Sequence, residues 1–249
     1  MPIRPFIPYA LIGLIHLTAI LLAIDDWITW TKPLLMPALA FVVWQRSLRP
    51  PSIFGRWLLI ALFFSWVGDI LLLPLPVEGS FLIGLGFFFC AQVTYIRLFW
   101  QASAKKQSSN PLVIFWALPF LFYGAGILLY LWPKLQSSLR IPVLMYSVAL
   151  VGMGVFAARL GFYFRERYTL QLLIGASLFI ISDTLIALTR FAGWAIPGSP
   201  FWIMSTYWLA QGLIVYGLIG WLERRRTLRS DRSPVARPPD RQAEAEGQY

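Results

Sequence analysis

Eight apolar runs of 17 to 22 residues divide this chain: Phe6 to Ile24, Trp27 to Trp44, Trp57 to Leu73, Phe81 to Trp100, Pro111 to Trp132, Ile141 to Ala158, Tyr168 to Thr189 and Phe201 to Leu222. A helix rises about 1.5 Å per residue, so about 20 apolar residues cross a hydrocarbon layer about 30 Å thick. Spanning β-barrels show short alternating segments instead, and no other spanning architecture satisfies its backbone in lipid. The runs therefore predict an all-α integral membrane protein of eight transmembrane helices. With 58% hydrophobic and 13% charged residues, a soluble domain of this length could not cover its apolar surface.

The connections are short and rich in Pro, Gly, Ser and charge, as helix-terminating loops are. Residues 1–222 form the expected eight-helix domain. Residues 223–249 are Arg-, Pro- and Glu-rich with few large apolar side chains, and their composition predicts a disordered basic tail. The first run follows a single arginine, and Ile24-Asp25-Asp26-Trp27 does not resemble a cleavage site, so an uncleaved first helix is expected.

The distribution of cations predicts orientation. Seventeen of the 21 Lys and Arg residues fall on one side of an eight-span parse, and only Lys32, Lys134, Arg140 and Arg190 fall on the other. Cytoplasmic loops carry this excess, so both ends are expected in the cytoplasm, in a multi-pass inner (cytoplasmic) membrane protein. The basic pI then reflects topology and contact with anionic lipid rather than nucleic acid. Trp44, Trp57, Trp100 and Trp221 fall at the predicted inner ends, and Trp27, Trp30, Trp132, Trp194 and Trp202 at the outer ends, as an interfacial aromatic belt would.

Two acids interrupt the apolar pattern: Asp69 in the third run and Asp183 in the seventh. Each costs roughly 2.5–3.5 kcal/mol on insertion scales, and such residues usually face an internal cavity. Asp69 lies 13 residues beyond Arg56 and Asp183 lies 16 beyond Arg167, roughly 20 and 24 Å up their helices. Lys32, 14 residues before Arg46, sits at a similar level, roughly 21 Å up. It stands in Lys32-Pro33-Leu34-Leu35-Met36-Pro37. Packing alone is the competing reading for the aspartates, and snorkelling to the headgroups for Lys32. His16 reads as packed or hydrogen-bonded, and Arg140 and Arg190 as surface anchors. Gly68-Asp69-Ile70-Leu71 and Ser182-Asp183-Thr184-Leu185, with Pro33-Leu34-Leu35-Met36 and Pro142-Val143-Leu144-Met145, occur in the same order in both halves. A 4+4 parallel repeat is the corresponding expectation.

With one cysteine (Cys90) and one histidine, neither a disulfide framework nor a thiolate or His-rich metal site is expected, and no cofactor is implied. His-Glu-x-x-His, Gly-x-Ser-x-Gly and Cys-x-x-Cys are absent from the sequence. What remains is a pair of carboxylates near lipid. A carboxyl group away from water tends to keep its proton, and two together cannot both ionise easily. One as acid and one as base suits hydrolysis of an acid-labile ether through an oxocarbenium ion. A proton relay in a lipid or small-solute transporter uses the same groups, and a scaffold would use them only to lock helix packing.

At these residues the chain resembles the YhhN family of membrane lysoplasmalogenases. The resemblance rests on Lys32 to Pro37, on Gly68-Asp69 with its leucines, and on Phe81 to Phe87 leading to Ala91-Gln92 and Tyr95. It continues through Ser182 to Leu188 with Arg190-Phe191, and through Tyr207-Trp208-Leu209-Ala210-Gln211. It implies an eight-helix enzyme that hydrolyses the vinyl ether of a lysophospholipid substrate to a fatty aldehyde and glycerophosphoethanolamine or glycerophosphocholine. Asp69 and Asp183 would be catalytic, Lys32 would hold the phosphate, and Gln92, Tyr95, Tyr207 and Gln211 would orient water or the glycerol hydroxyl. Gln92 departs from the family pattern, which usually has His there with Tyr three residues on. A glutamine orients water but shuttles no proton, which is compatible with acid–base work by the aspartates.

Overall fold

The structure, a computed structural model, describes residues 4–47, 52–73, 78–103 and 113–230. It consists of eight α-helices: α1 (Ile7–Leu21), α2 (Asp25–Ser47), α3 (Ile53–Leu71), α4 (Ser80–Ser103), α5 (Val113–Leu131), α6 (Ser137–Phe164), α7 (Arg167–Phe191) and α8 (Ser199–Ser230). Short 3-10 turns, Arg4–Phe6 and Trp132–Lys134, precede α1 and follow α5. The described residues contain no strand.

Among the described residues, seven helices are long and apolar enough to cross a membrane. The exception is α2, whose 23 residues are diluted by Lys32, Pro33, Pro37 and three tryptophans. Its exterior nonetheless matches that of the other seven. Trp30, Leu34 and Phe41 of α2 are exposed, as are Phe122 and Leu129 of α5. Large apolar side chains facing outward all around a bundle require lipid rather than water as the surrounding solvent.

Local chemistry ends and starts the helices where the apolar runs break. Ser52 caps α3 by accepting from the Gly55 N–H at 3.0 Å. Arg165 turns the chain through a left-handed conformation after α6 (φ 42°). Glu166 then opens α7 with a capping box to Thr169, which satisfies amide groups that the helix start would orphan. The ion pairs Arg46–Glu223 and Arg224–Glu166, both 3.6 Å, join α2, α8 and the start of α7.

Helices α1 to α4 pack in sequence, as do α5 to α8; α4 packs on α6, and α1 and α2 close on α8. Helices α7 and α8 approach most closely. A Cβ at Gly175 would lie 3.0 Å from the Ala210 carbonyl and 3.1 Å from the Ile214 N, so only glycine permits that backbone spacing. The fully enclosed side chains at the centre include Tyr95, Phe99, Phe179, Leu35, Met36 and Leu39. Helix α5 lies at the periphery, against α6 and part of α7.

Two expectations change on contact with the fold. Trp221, read as a belt residue, is 8% exposed and packs against Phe54 and Phe164. Helix α8 runs on to Ser230, so the first turns of the basic tail continue the last helix. The rest of the tail, with Arg49, Lys105 and Lys106, lies outside the described residues.

Candidate functional site

The site begins with the two prolines of α2. A proline at position 37 has no N–H, so the carbonyl of Pro33 loses its partner within the helix. The Trp66 indole of α3 donates to that carbonyl at 2.8 Å, which restores the bond and joins α2 to α3. Lys32 stands one residue before Pro33 and lines a cavity in the bundle.

Asp69, 2% exposed, lies in the last turn of α3. Its neighbour Gly68 has no room for a side chain: a Cβ would lie 2.6 Å from the Phe88 ring of α4. Phe88 in turn meets Tyr207 and Phe179 edge to face, at 6.0 and 6.4 Å. This aromatic cluster holds the Tyr207 hydroxyl against the carboxylate, and Tyr207 donates to Asp69 Oδ2 at 2.9 Å.

A polar column runs back from that bond into the bundle. Gln211, one turn beyond Tyr207 on α8, donates from Nε2 to the Tyr207 hydroxyl at 3.3 Å and to Ser65 Oγ at 3.1 Å. Its Oε1 accepts from the Tyr95 hydroxyl at 2.7 Å. These bonds leave one consistent direction: Gln211 supplies Tyr207 with a donor, so the single Tyr207 proton points to Asp69.

Asp183 occupies the matching place on α7 and is half-buried. The Tyr146 hydroxyl of α6 donates to its Oδ2. The flanking residues are anchored too: Ser182 donates to the Ile203 carbonyl at 3.0 Å, and the Tyr123 hydroxyl of α5 donates to Thr184 Oγ1 at 3.1 Å. Tyr146 was not singled out by sequence reasoning. Its one signal was a place directly after the Pro142–Met145 segment.

Lys32, Asp69, Asp183, Tyr146 and Tyr207 all line one cavity of about 120 Å³. Its remaining walls are mostly apolar, with Leu85, Phe88, Leu150 and Met204 among them, and Ser147 and Ser182 add hydroxyls. Leu72, Leu131 and Phe191 come from the ends of α3, α5 and α7, and Phe81 and Ile203 from the starts of α4 and α8. The cavity therefore occupies the half of the bundle away from the Arg46–Glu223 pair.

The other three sequence candidates stand behind this wall rather than in it. Tyr95 and Gln211 are fully buried and reach the cavity only through Tyr207. Gln92 is also fully buried, and neither amide atom has a hydrogen-bond partner among the described residues. All three are enclosed in the bundle interior. His16 lies outside the cavity wall and bonds Thr31 Oγ1 through Nδ1 at 2.7 Å. Thr31 spends its own proton on the Trp27 carbonyl at 2.5 Å, so Nδ1 is the donor.

The family model described as "YhhN family" matches residues 27–218. The chain is 34% identical over 139 residues to proteins named lysoplasmalogenase from Mycobacterium bovis and Mycobacterium tuberculosis, which is 55% of this chain and 50% of theirs. It is 31% identical over 164 residues to lysoplasmalogenase TMEM86A of Bos taurus, 64% of this chain and 64% of that protein. The chain thus aligns with half the length of the mycobacterial relatives. No solved structure matches it. With a family match that runs from α2 to α8, the chain belongs to the YhhN family.

Proposed function

We propose that the protein hydrolyses the vinyl ether of lysoplasmalogens, with Asp69 and Asp183 as its acid–base pair. The observation that carries the reading is that these two carboxylates, from α3 and α7, line one mainly apolar cavity. The names of the relatives add the substrate class: each is called a lysoplasmalogenase.

In the proposed reaction, one aspartic acid gives its proton to the vinyl carbon remote from oxygen, and the adjacent carbon becomes an oxocarbenium ion. The other aspartate stabilises that charge and takes a proton from the attacking water. The hemiacetal then collapses, its hydroxyl proton passing to the glycerol oxygen. One water is consumed, and a fatty aldehyde and a glycerophospho-alcohol leave. Lys32 faces the substrate phosphate. Tyr207 and Tyr146 hold the carboxyl groups in position, while Tyr95 and Gln211 hold Tyr207. The unpartnered Gln92 amide is suited to an internal water, because a buried amide left bare costs roughly 1–3 kcal/mol.

We infer eight spans, with both ends on the cytoplasmic side of the inner membrane. The cation distribution, seventeen against four, supports this orientation, and α2, 23 residues long, is long enough to cross. The cavity then opens toward the outer leaflet.

The hydrogen-bonded column from Asp69 to Tyr95 favours one alternative, a proton relay in a lipid or small-solute transporter. Purified protein in vesicles separates the two. Aldehyde release from added lysoplasmalogen supports the hydrolase, whereas proton-dependent uptake of intact lysolipid without product replaces it.

A further inference from the structure

We propose that Arg190 joins Lys32 in a two-cation clamp for a phosphodiester at the mouth of the cavity, selecting a phosphate-bearing lysolipid over a neutral glyceride with the same chain. The inference builds on the hydrolase reading for the position of the reacting bond.

Phe81 and Phe191, at the start of α4 and the end of α7, line the cavity and meet edge to face at 5.8 Å. The Arg190 guanidinium lies over the Phe81 ring, 3.8 Å from its centroid. Stacking of this kind fixes the plane of the group and leaves its N–H edge free to receive an oxyanion. No hydrogen bond or ion pair holds Arg190 or Lys32 among the described residues. Asp25, Asp26 and Glu78 belong to this same end of the bundle, yet none pairs with either cation. At the opposite end, by contrast, Arg46 and Arg224 each have a glutamate.

Spacing fits the ligand. Arg190 is seven residues beyond Asp183 on α7, about 10 Å along the axis, and helical side chains lean back toward the N-terminus. The guanidinium thus leans toward Asp183 by part of that distance. A glycerol arm of three carbons separates the phosphate of a lysolipid from its ether oxygen, so phosphate at Arg190 and Lys32 leaves the ether near the carboxylates. A planar guanidinium matches two phosphate oxygens, and a lysine ammonium adds a point charge. An uncharged glycerol head leaves both cations without a partner.

The test is binding of two saturated ligands to the full chain in nanodiscs: 1-O-hexadecyl-glycerophosphocholine and 1-O-hexadecylglycerol. Neither has a vinyl ether, so the result does not depend on hydrolysis, and aldehyde release from a true vinyl ether tests that reading separately. Wild type should prefer the phosphate-bearing ligand, and Arg190→Gln should cut the preference about tenfold. Arg190→Lys should keep part of it, and Phe81→Leu should weaken it by releasing the guanidinium. Arg97→Gln, which removes a guanidinium stacked on Trp57 outside this cavity, should leave it unchanged. An unchanged preference in folded Arg190→Gln, or an equal loss for both ligands, overturns the clamp. Competition by chain-free glycerophosphocholine at the same concentration as the lipid overturns the assignment to a lipid.

Discussion

Replacing Tyr207 with phenylalanine removes one oxygen from the junction of the site and its support. The ring keeps its edge-to-face contacts with Phe88 and Phe179, at 6.0 and 5.4 Å, so packing is preserved. Two bonds vanish, the 2.9 Å donation to Asp69 and the 3.3 Å bond from Gln211, with a weak 3.8 Å contact to Met36 Sδ. Gln211 keeps Ser65 and Tyr95, but Asp69 loses its one described side-chain donor while 2% exposed. A bond to a charged group is worth about 1.5–3 kcal/mol, whereas interhelical bonds in membranes average about 0.6 and reach about 1.7. About 2 kcal/mol is therefore expected, or roughly 4–8 °C in melting temperature for a chain of this size. A carboxyl group free to rotate off its reacting position loses about a hundredfold in rate. Tyr95→Phe is the matched control. It breaks a 2.7 Å bond at the far end of the same column, and should lower the melting temperature similarly while costing turnover less than about tenfold. The assay is aldehyde release under saturating lysoplasmalogen, at a temperature where every variant is folded. Full turnover by Tyr207→Phe, or an equal loss in both variants, refutes the idea that this column positions Asp69.

Gly68→Ala forces a Cβ to 2.6 Å from Phe88, and an enclosed ring moves at a cost of about 1–3 kcal/mol; an unchanged melting temperature contradicts that packing. Trp66→Phe strips the Pro33 carbonyl of its 2.8 Å donor and should lower stability by about 1 kcal/mol, measured by thermal unfolding in detergent. Arg46→Gln breaks a partly exposed pair and should change stability by less than about 1 kcal/mol. Hydrolysis in heavy water, with the aldehyde reduced by borohydride as it forms, should place one deuterium on the carbon next to the former carbonyl. Its absence, detected by mass spectrometry, excludes protonation at carbon.

The axial coordinate of this protein is legible in its sequence, and the radial one is not. Hydrophobic run length gives helices, and distance from the nearest interfacial arginine gives depth. Lys32, Asp69 and Asp183 could therefore be placed at one level before their common cavity was seen. Direction around a helix depends on which neighbour each face meets, and hydrophobic runs that are apolar all round carry no such signal. Family resemblance made Tyr95 and Gln211 ligand contacts, although they stand behind Tyr207, and Tyr146, outside that resemblance, had no azimuth to point it at Asp183. Trp221 failed for the same reason: its depth suits a belt, but its azimuth faces Phe54 and Phe164. The low apolarity of α2 has the opposite lesson. Its lysine and prolines weaken it as a span by composition, yet the Trp66 bond to Pro33 shows the helix built into the bundle.

The most direct test is single-turnover aldehyde release by purified wild-type protein and by Asp69→Asn and Asp183→Asn. An amide matches the shape of the acid but cannot exchange its proton, so each variant should fold, bind lysolipid and release no aldehyde above background. Wild-type rates in either folded variant would remove that carboxylate from the reaction and contradict a paired acid–base site.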